Sequence, residues 1–265
     1  MTRALFARIL RHHRWLLFAM MLGLAGFEVL LIWVGAQIEV SSGLRTMFEM
    51  LPPMFRETLG SQFSLISFAA LVAVGFQHPF TLAVTIGFTV LTATVPAGER
   101  ESGLLDLLLA RPLPRRSYLA ASLATVVTGA SLLPLCLLAG VAFGLSLVEP
   151  PGEIPWTRYV PCALGLCALL LAVGGCALLF AAGAKRRGAA AARVVGLTLG
   201  LFVVEVFAEV WTALGWVRWA SPFHYFKPVP SAVMLRTPPT NLLVLLGVFA
   251  VSVALAFARF DRRDM

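Results

Sequence analysis

Three carboxylates stand where the surrounding sequence is apolar. Glu28 lies about 13 residues into a run that begins at Trp15, and Glu205 and Glu209 lie four apart on one face of a later run. At 1.5 Å rise per residue, Glu205 falls near the middle of a membrane-crossing helix and Glu209 in its outer half. An ionised carboxylate at such a depth costs roughly 2.5–3.5 kcal/mol on insertion scales, so each must face the interior of a bundle, find a partner or be neutral. Two readings stay open for Glu28, Glu205 and Glu209. They line a polar pathway or a site for a cationic substrate, or they join helices through partners such as Gln37, Thr198 or Thr212. His78 and His224 stand alone and read as interfacial side chains rather than metal ligands, and no metal site is expected. Cys136, Cys162, Cys167 and Cys176 lie inside apolar segments without a C-x-x-C pair, which fits small core residues rather than disulfide or metal chemistry.

A second set of residues could bind a partner. The segment from Glu99 to Tyr118 carries Glu101, Gly103, Asp106, Arg111, Pro112, Arg115 and Arg116 around a stripe of Leu104, Leu105, Leu108 and Leu109. Ser102 suits an N-cap, Asp106 suits the first turn, and Pro112 ends the helix, so a two-turn helix is expected here. Its leucines recur at i, i+1, i+4 and i+5, giving a broad apolar face flanked by charge of both signs. Such a face either packs on its own bundle or on lipid, or docks as a knob in the groove of a partner.

These residues need elements to hold them, and composition decides which. Of the 265 residues, 59% are hydrophobic and 13% charged, about half the usual charged content of a soluble domain. Apolar residues run all round for 18 residues or more, which excludes a water-soluble fold and gives helices able to cross roughly 30 Å of hydrocarbon. Barrel strands would alternate in segments of about ten instead. The expected fold is all-α, a single transmembrane domain over 1–265 with spans near 15–36, 80–97, 118–148, 158–182, 190–214 and 240–258. The first is read as an uncleaved anchor. Residues 46–78 are expected to be interfacial or re-entrant: 46–63 as a short amphipathic helix started by Pro52-Pro53, and 64–78 as a run cut too short for a span by Gln77-His78-Pro79.

Charge then orients the chain. With six spans, most of the 21 Lys and Arg fall in four short clusters around Arg3–Arg14, Arg100–Arg116, Lys185–Arg193 and Arg259–Arg263. The positive-inside rule puts those clusters and both termini in the cytoplasm. The same clusters explain the net charge of +8 through orientation and anionic lipid, so no nucleic-acid partner is expected. No G-x-x-x-x-G-K-[ST] loop is present, so the chain is not read as an enzyme and needs no cofactor of its own.

The string Glu99, Gly103, Leu105, Leu108, Leu109, Pro112, Arg115 resembles the signature of type-2 ABC transporter permeases, with Leu104 where that family usually has Thr. The basic run Arg8–Trp15 is similar to the family's amphipathic elbow helix. Leu51-Pro52-Pro53-Met54 resembles its outer Leu-Pro segment, and Ser221-Pro222-Phe223-His224-Tyr225 resembles the stretch after its fifth span. The resemblance implies an exporter subunit of the bacterial inner membrane that pairs with a second permease, a homodimer before a heterodimer. It also implies separate ABC ATPase subunits that hold ATP and Mg and dock on 99–117 as a coupling helix. The competing classes are a secondary carrier or channel-like protein without an ATPase, against which stands the absence of an inverted repeat, and an integral-membrane enzyme, for which no catalytic constellation is visible.

Overall fold

The computed structural model describes residues 2–40, 68–105, 115–148, 154–210, 215–234 and 237–261. Among them are nine α-helices: α1 (Thr2–Val40), α2 (Phe68–Gln77), α3 (Pro79–Ala93), α4 (Val95–Glu101), α5 (Arg115–Leu147), α6 (Val160–Gly183), α7 (Arg187–Val210), α8 (Pro228–Met234) and α9 (Pro239–Asp261). Short 3-10 turns occupy Trp156–Tyr159, Val217–Ala220 and Pro222–Tyr225. Six stretches are long and apolar enough to cross a membrane: Arg3–Gln37, Phe68–Ala93, Arg116–Leu147, Trp156–Gly183, Arg187–Ala208 and Pro239–Asp261. The chain is an all-α polytopic membrane protein.

The second span differs from expectation. The segment 64–78, read as interfacial or re-entrant, is helical over its described part, and α2 continues through His78 into α3 as one crossing. Pro79 lacks an N–H and so frees the carbonyl of Gly75 four residues earlier. Thr81 Oγ1 donates to that carbonyl at 2.7 Å, while Leu82 N–H closes on His78 O at 3.0 Å. The polar Gln77-His78-Pro79 triplet therefore interrupts the helix at His78, whose ψ of 139° is extended, and the chain bends there without leaving the span, because the freed backbone group is satisfied inside the protein. His78 sits at this bend, accepting from Phe80 N–H at 3.2 Å and packing on Phe27 at 5.0 Å between ring centres. The bend lies midway along the span, so the interfacial placement of His78 is corrected. The expected interfacial helix 46–63 and the Leu-Pro segment lie outside the described residues.

Helix α6 forms the centre. Its Gly, Ala, Cys and Leu residues are buried nearly all round, as in a bundle whose helices associate by close packing rather than by escape from water. Around it stand α3, α5, α7 and α9. Small residues set the closest crossings: a Cβ at Gly140 would lie 2.8 Å from the Ala25 backbone oxygen, and one at Gly144 would lie 2.8 Å from Ile32 Cδ1. Helices α1 and α5 thus run side by side at backbone contact. The cysteines are free, and Cys162 Sγ donates to Pro228 O at 3.2 Å inside the core.

The expected elbow helix is the first part of α1 and continues into the span without a break. Leu5, Ile9 and His13 are buried at a spacing of four, and Arg11 and Arg14 are exposed. Both described chain ends lie at one end of the bundle, where Leu5 and Ile9 of α1 share a buried cluster with Phe260 of α9 and where Arg116 Nε of α5 pairs with Asp261 at 2.8 Å. That end is called basal below, and the opposite one distal.

Candidate functional site

The basal end is organised around α4. Thr94 breaks the second span between α3 and α4, and Pro96 removes another backbone donor just after it. The carbonyl of Leu91 at this break receives Arg187 Nη2 at 2.8 Å, and Arg187 Nε reaches Thr94 Oγ1 at 3.4 Å. Arg187 opens α7, and its own N–H donates to Glu101 Oε2 at 2.9 Å. A carboxylate there satisfies one of the unpaired donors at a helix start and faces the positive end of the helix dipole. Arg100 does the reverse at the end of α6, donating through Nη1 to Ala184 O at 2.8 Å. Glu99 points the other way, paired with the Arg8 guanidinium of α1 and accepting from the Tyr118 hydroxyl of α5. Three consecutive charged residues of one short helix therefore fasten it to α1, α5 and the α6–α7 turn.

After Glu101 the chain turns sharply. Gly103 has φ of 73°, the left-handed conformation that glycine adopts most cheaply after a helix C-terminus. Ser102 is the C-cap of α4, its N–H bonded to Gly98 O at 3.1 Å and its hydroxyl to Glu99 O at 3.2 Å. The expected role of Ser102 as an N-cap is thereby corrected. Leu105 is also corrected as an exposed docking residue: it is fully buried, in a cluster with Leu5, Ile9, Tyr118, Leu119 and Phe260. Its side chain anchors the start of the loop to the chain's own bundle, and Leu104 stays exposed beside it. Asp106, Leu108, Leu109, Arg111 and Pro112 lie outside the described residues, as does the side chain of Arg115. Arg116 is on the exposed face of α5, paired with Asp261.

A cleft of about 550 Å³ opens at this end, lined by Arg8, His12, His13, Glu99, Glu101 and Arg187, with Leu104 at its rim. Sequence reasoning took Glu99 and Glu101 as flanking charges for a partner and did not assign Arg8, Arg100, Tyr118 or Arg187 to the site. Arg187 was counted only as orienting charge. Its position as the first residue of a helix after a basic run was the available signal.

The membrane carboxylates separate into two environments. Glu28 is fully buried with neither oxygen bonded, and it faces Gly75 so closely that an added Cβ there would meet Oε1 at 2.6 Å. Glu205 is buried on α7, with Oε1 3.2 Å from His224 Nδ1 and Oε2 unpartnered. His224 is buried too, in edge-on contact with Trp219 at 4.8 Å and Tyr225 at 5.2 Å. Thr198 is buried without a bond to Glu205, and the expected partner Thr212 lies outside the described residues, as does the side chain of Glu209. The Ser221-Pro222-Phe223-His224-Tyr225 stretch positions His224. Ser221 Oγ donates to Leu201 O on α7 at 3.0 Å and accepts from Phe223 N–H at 3.2 Å, fixing a one-turn 3-10 helix against α7. Among the described residues no group of three His, Cys, Asp or Glu could hold a metal ion.

A family model described as ABC-2 family transporter protein matches residues 13–265. No curated protein matches the chain.

Proposed function

We propose, given that the chain belongs to the ABC-2 transporter family and so is the permease component of an ABC transporter, that it forms one half of an export pathway driven by a separate ATPase subunit docked at residues 103–116. Membership of that family carries with it association with an ABC ATPase. The observation that carries the docking site is α4: a short helix tied by Glu99, Arg100 and Glu101 to α1, α5 and the α6–α7 turn, ending at a left-handed Gly103. A load applied to the loop is passed to three spans at once, since packed helices shift as units between discrete arrangements. In this reading the basal end is cytoplasmic, the membrane is the bacterial inner membrane, and the second half of the pathway is another copy of the chain. ATP and Mg are held by the partner, which does the hydrolysis. The polar path through the membrane runs by Glu28, Glu205 and Glu209.

Retention of the ATPase tests this. Burying a leucine in a partner groove contributes roughly 1.5–3 kcal/mol, whereas rim charges act more on association rate. Leu108→Asp is expected to release the ATPase subunit on purification and abolish coupled hydrolysis, and Arg115→Ala to weaken the complex mainly at raised salt. A Leu108→Asp chain that folds and keeps a stoichiometric, active ATPase would remove the docking site from the account.

A further inference from the structure

Beside the bend of the second span, α2, α3, α7 and α8 line an open-sided cavity of about 580 Å³, within the size range of small-molecule sites. Its walls include Phe202 on α7 and Phe223 and Phe226 in the distal segment, together with prolines and aliphatic side chains. Four polar residues also line it: Gln77, His78, Glu205 and Lys227. The Glu205 side chain is nine-tenths buried. One oxygen is engaged by His224, and the other has no partner.

A buried carboxyl group with an unpaired oxygen, set among phenylalanine rings, defines the chemistry that a ligand here would need. Burying a carboxylate away from water is unfavourable until it is paired and hydrogen-bonded. Lys227 lines the same cavity but forms no ion pair with Glu205. Phenylalanine faces attract a cation electrostatically, most strongly once it is desolvated. A cation with an apolar body meets both features, whereas a neutral donor meets only the first and an anion neither.

We propose that this cavity binds an organic cation with a bulky apolar body, its charge facing Glu205 and its apolar part against Phe202, Phe223 and Phe226. The proposal deepens the reading of the chain as a transport pathway and rests on it for the biological role, but binding itself needs no ATPase. Failure to bind a cation would leave ATPase retention unaffected, and loss of the ATPase would leave the cavity intact. A soluble amphiphile and the head of a choline lipid share this chemistry. Lys227 sets a limit on affinity, since its charge opposes the ligand's.

Tetraphenylphosphonium is the probe, with tetraphenylborate as an anion of like shape. Binding of the radiolabelled cation to the full chain in phosphatidylglycerol nanodiscs, corrected for empty discs, is expected to be saturable and displaced by unlabelled cation but not by the borate. Glu205→Gln keeps an acceptor for His224 and is expected to weaken binding at least about tenfold, as loss of a buried charge partner does. Lys227→Gln is expected to tighten it, and decides the matter if Glu205→Gln does not fold. Weaker apparent binding in phosphatidylcholine discs would support the same chemistry with a lipid head as natural occupant, and equal binding in both would support a free amphiphile. Equal binding by Glu205→Gln, unchanged or weaker binding by Lys227→Gln, or displacement by the borate would overturn the proposal.

Discussion

Glu28 and Glu205 carry the same functional group into different surroundings, the first with no oxygen bonded and the second with one. Glu28 has its carboxyl group in the space that a Cβ on Gly75 would need. Replacing it by Gln removes no hydrogen bond, so Glu28→Gln is expected to melt at or above the wild-type temperature in detergent. Gly75→Ala forces a methyl group into the carboxylate and should cost about 1–3 kcal/mol. Combining Gly75→Ala with Glu28→Ala should recover much of that loss, because contacting residues are not additive. A double variant as unstable as the sum of the two single ones would show that the contact is not the cause. The sequence made the three carboxylates visible through the apolar runs around them. It did not reveal the partner of Glu205, since His224 is 19 residues away along the chain and pairing depends on a turn held by Ser221.

At the scale of elements, α4 decides how the basal end works. Glu99 is 15% exposed at its side chain and joins Arg8 to Tyr118, so Glu99→Ala leaves both without their partner. A loss of roughly 1–3 kcal/mol in stability is expected, as for any buried bonding group stripped of its acceptor. The ATPase subunit should stay bound, because Glu99 faces the chain's own helices. Release of the ATPase with unchanged melting would instead make Glu99 a direct contact. By contrast, Arg116→Ala should change stability by less than about 1 kcal/mol, since its pair with Asp261 is exposed. The leucine stripe after Gly103 was legible as an apolar face, and most of the two-turn helix expected to carry it lies outside the described residues. The division of labour within it was not, because Leu104 and Leu105 are alike in type and only packing against Leu5, Ile9 and Tyr118 distinguishes the buried one.

Across the whole molecule, six crossings were legible because each needs a long apolar run and nothing else. The start of the second was not. Gln77-His78-Pro79 does break the helix, but Thr81 satisfies the freed carbonyl at 2.7 Å and the crossing resumes in α3. Outer faces of α1, α7 and α9 expose Leu22, Leu30, Val203, Phe207, Leu243 and Val251, as surfaces facing lipid or a second copy require. The central claim is that Leu104 and the loop beyond the buried Leu105 face the cytoplasm and touch an ATP-binding subunit. Replacing the four native cysteines, placing one at position 104, and cross-linking in native membranes tests both halves together. The predicted product is a covalent adduct with an ATP-binding protein whose yield changes with nucleotide, and position 104 stays unlabelled by an impermeant thiol reagent added outside. Labelling from outside, or no adduct with any ATP-binding protein, would contradict it.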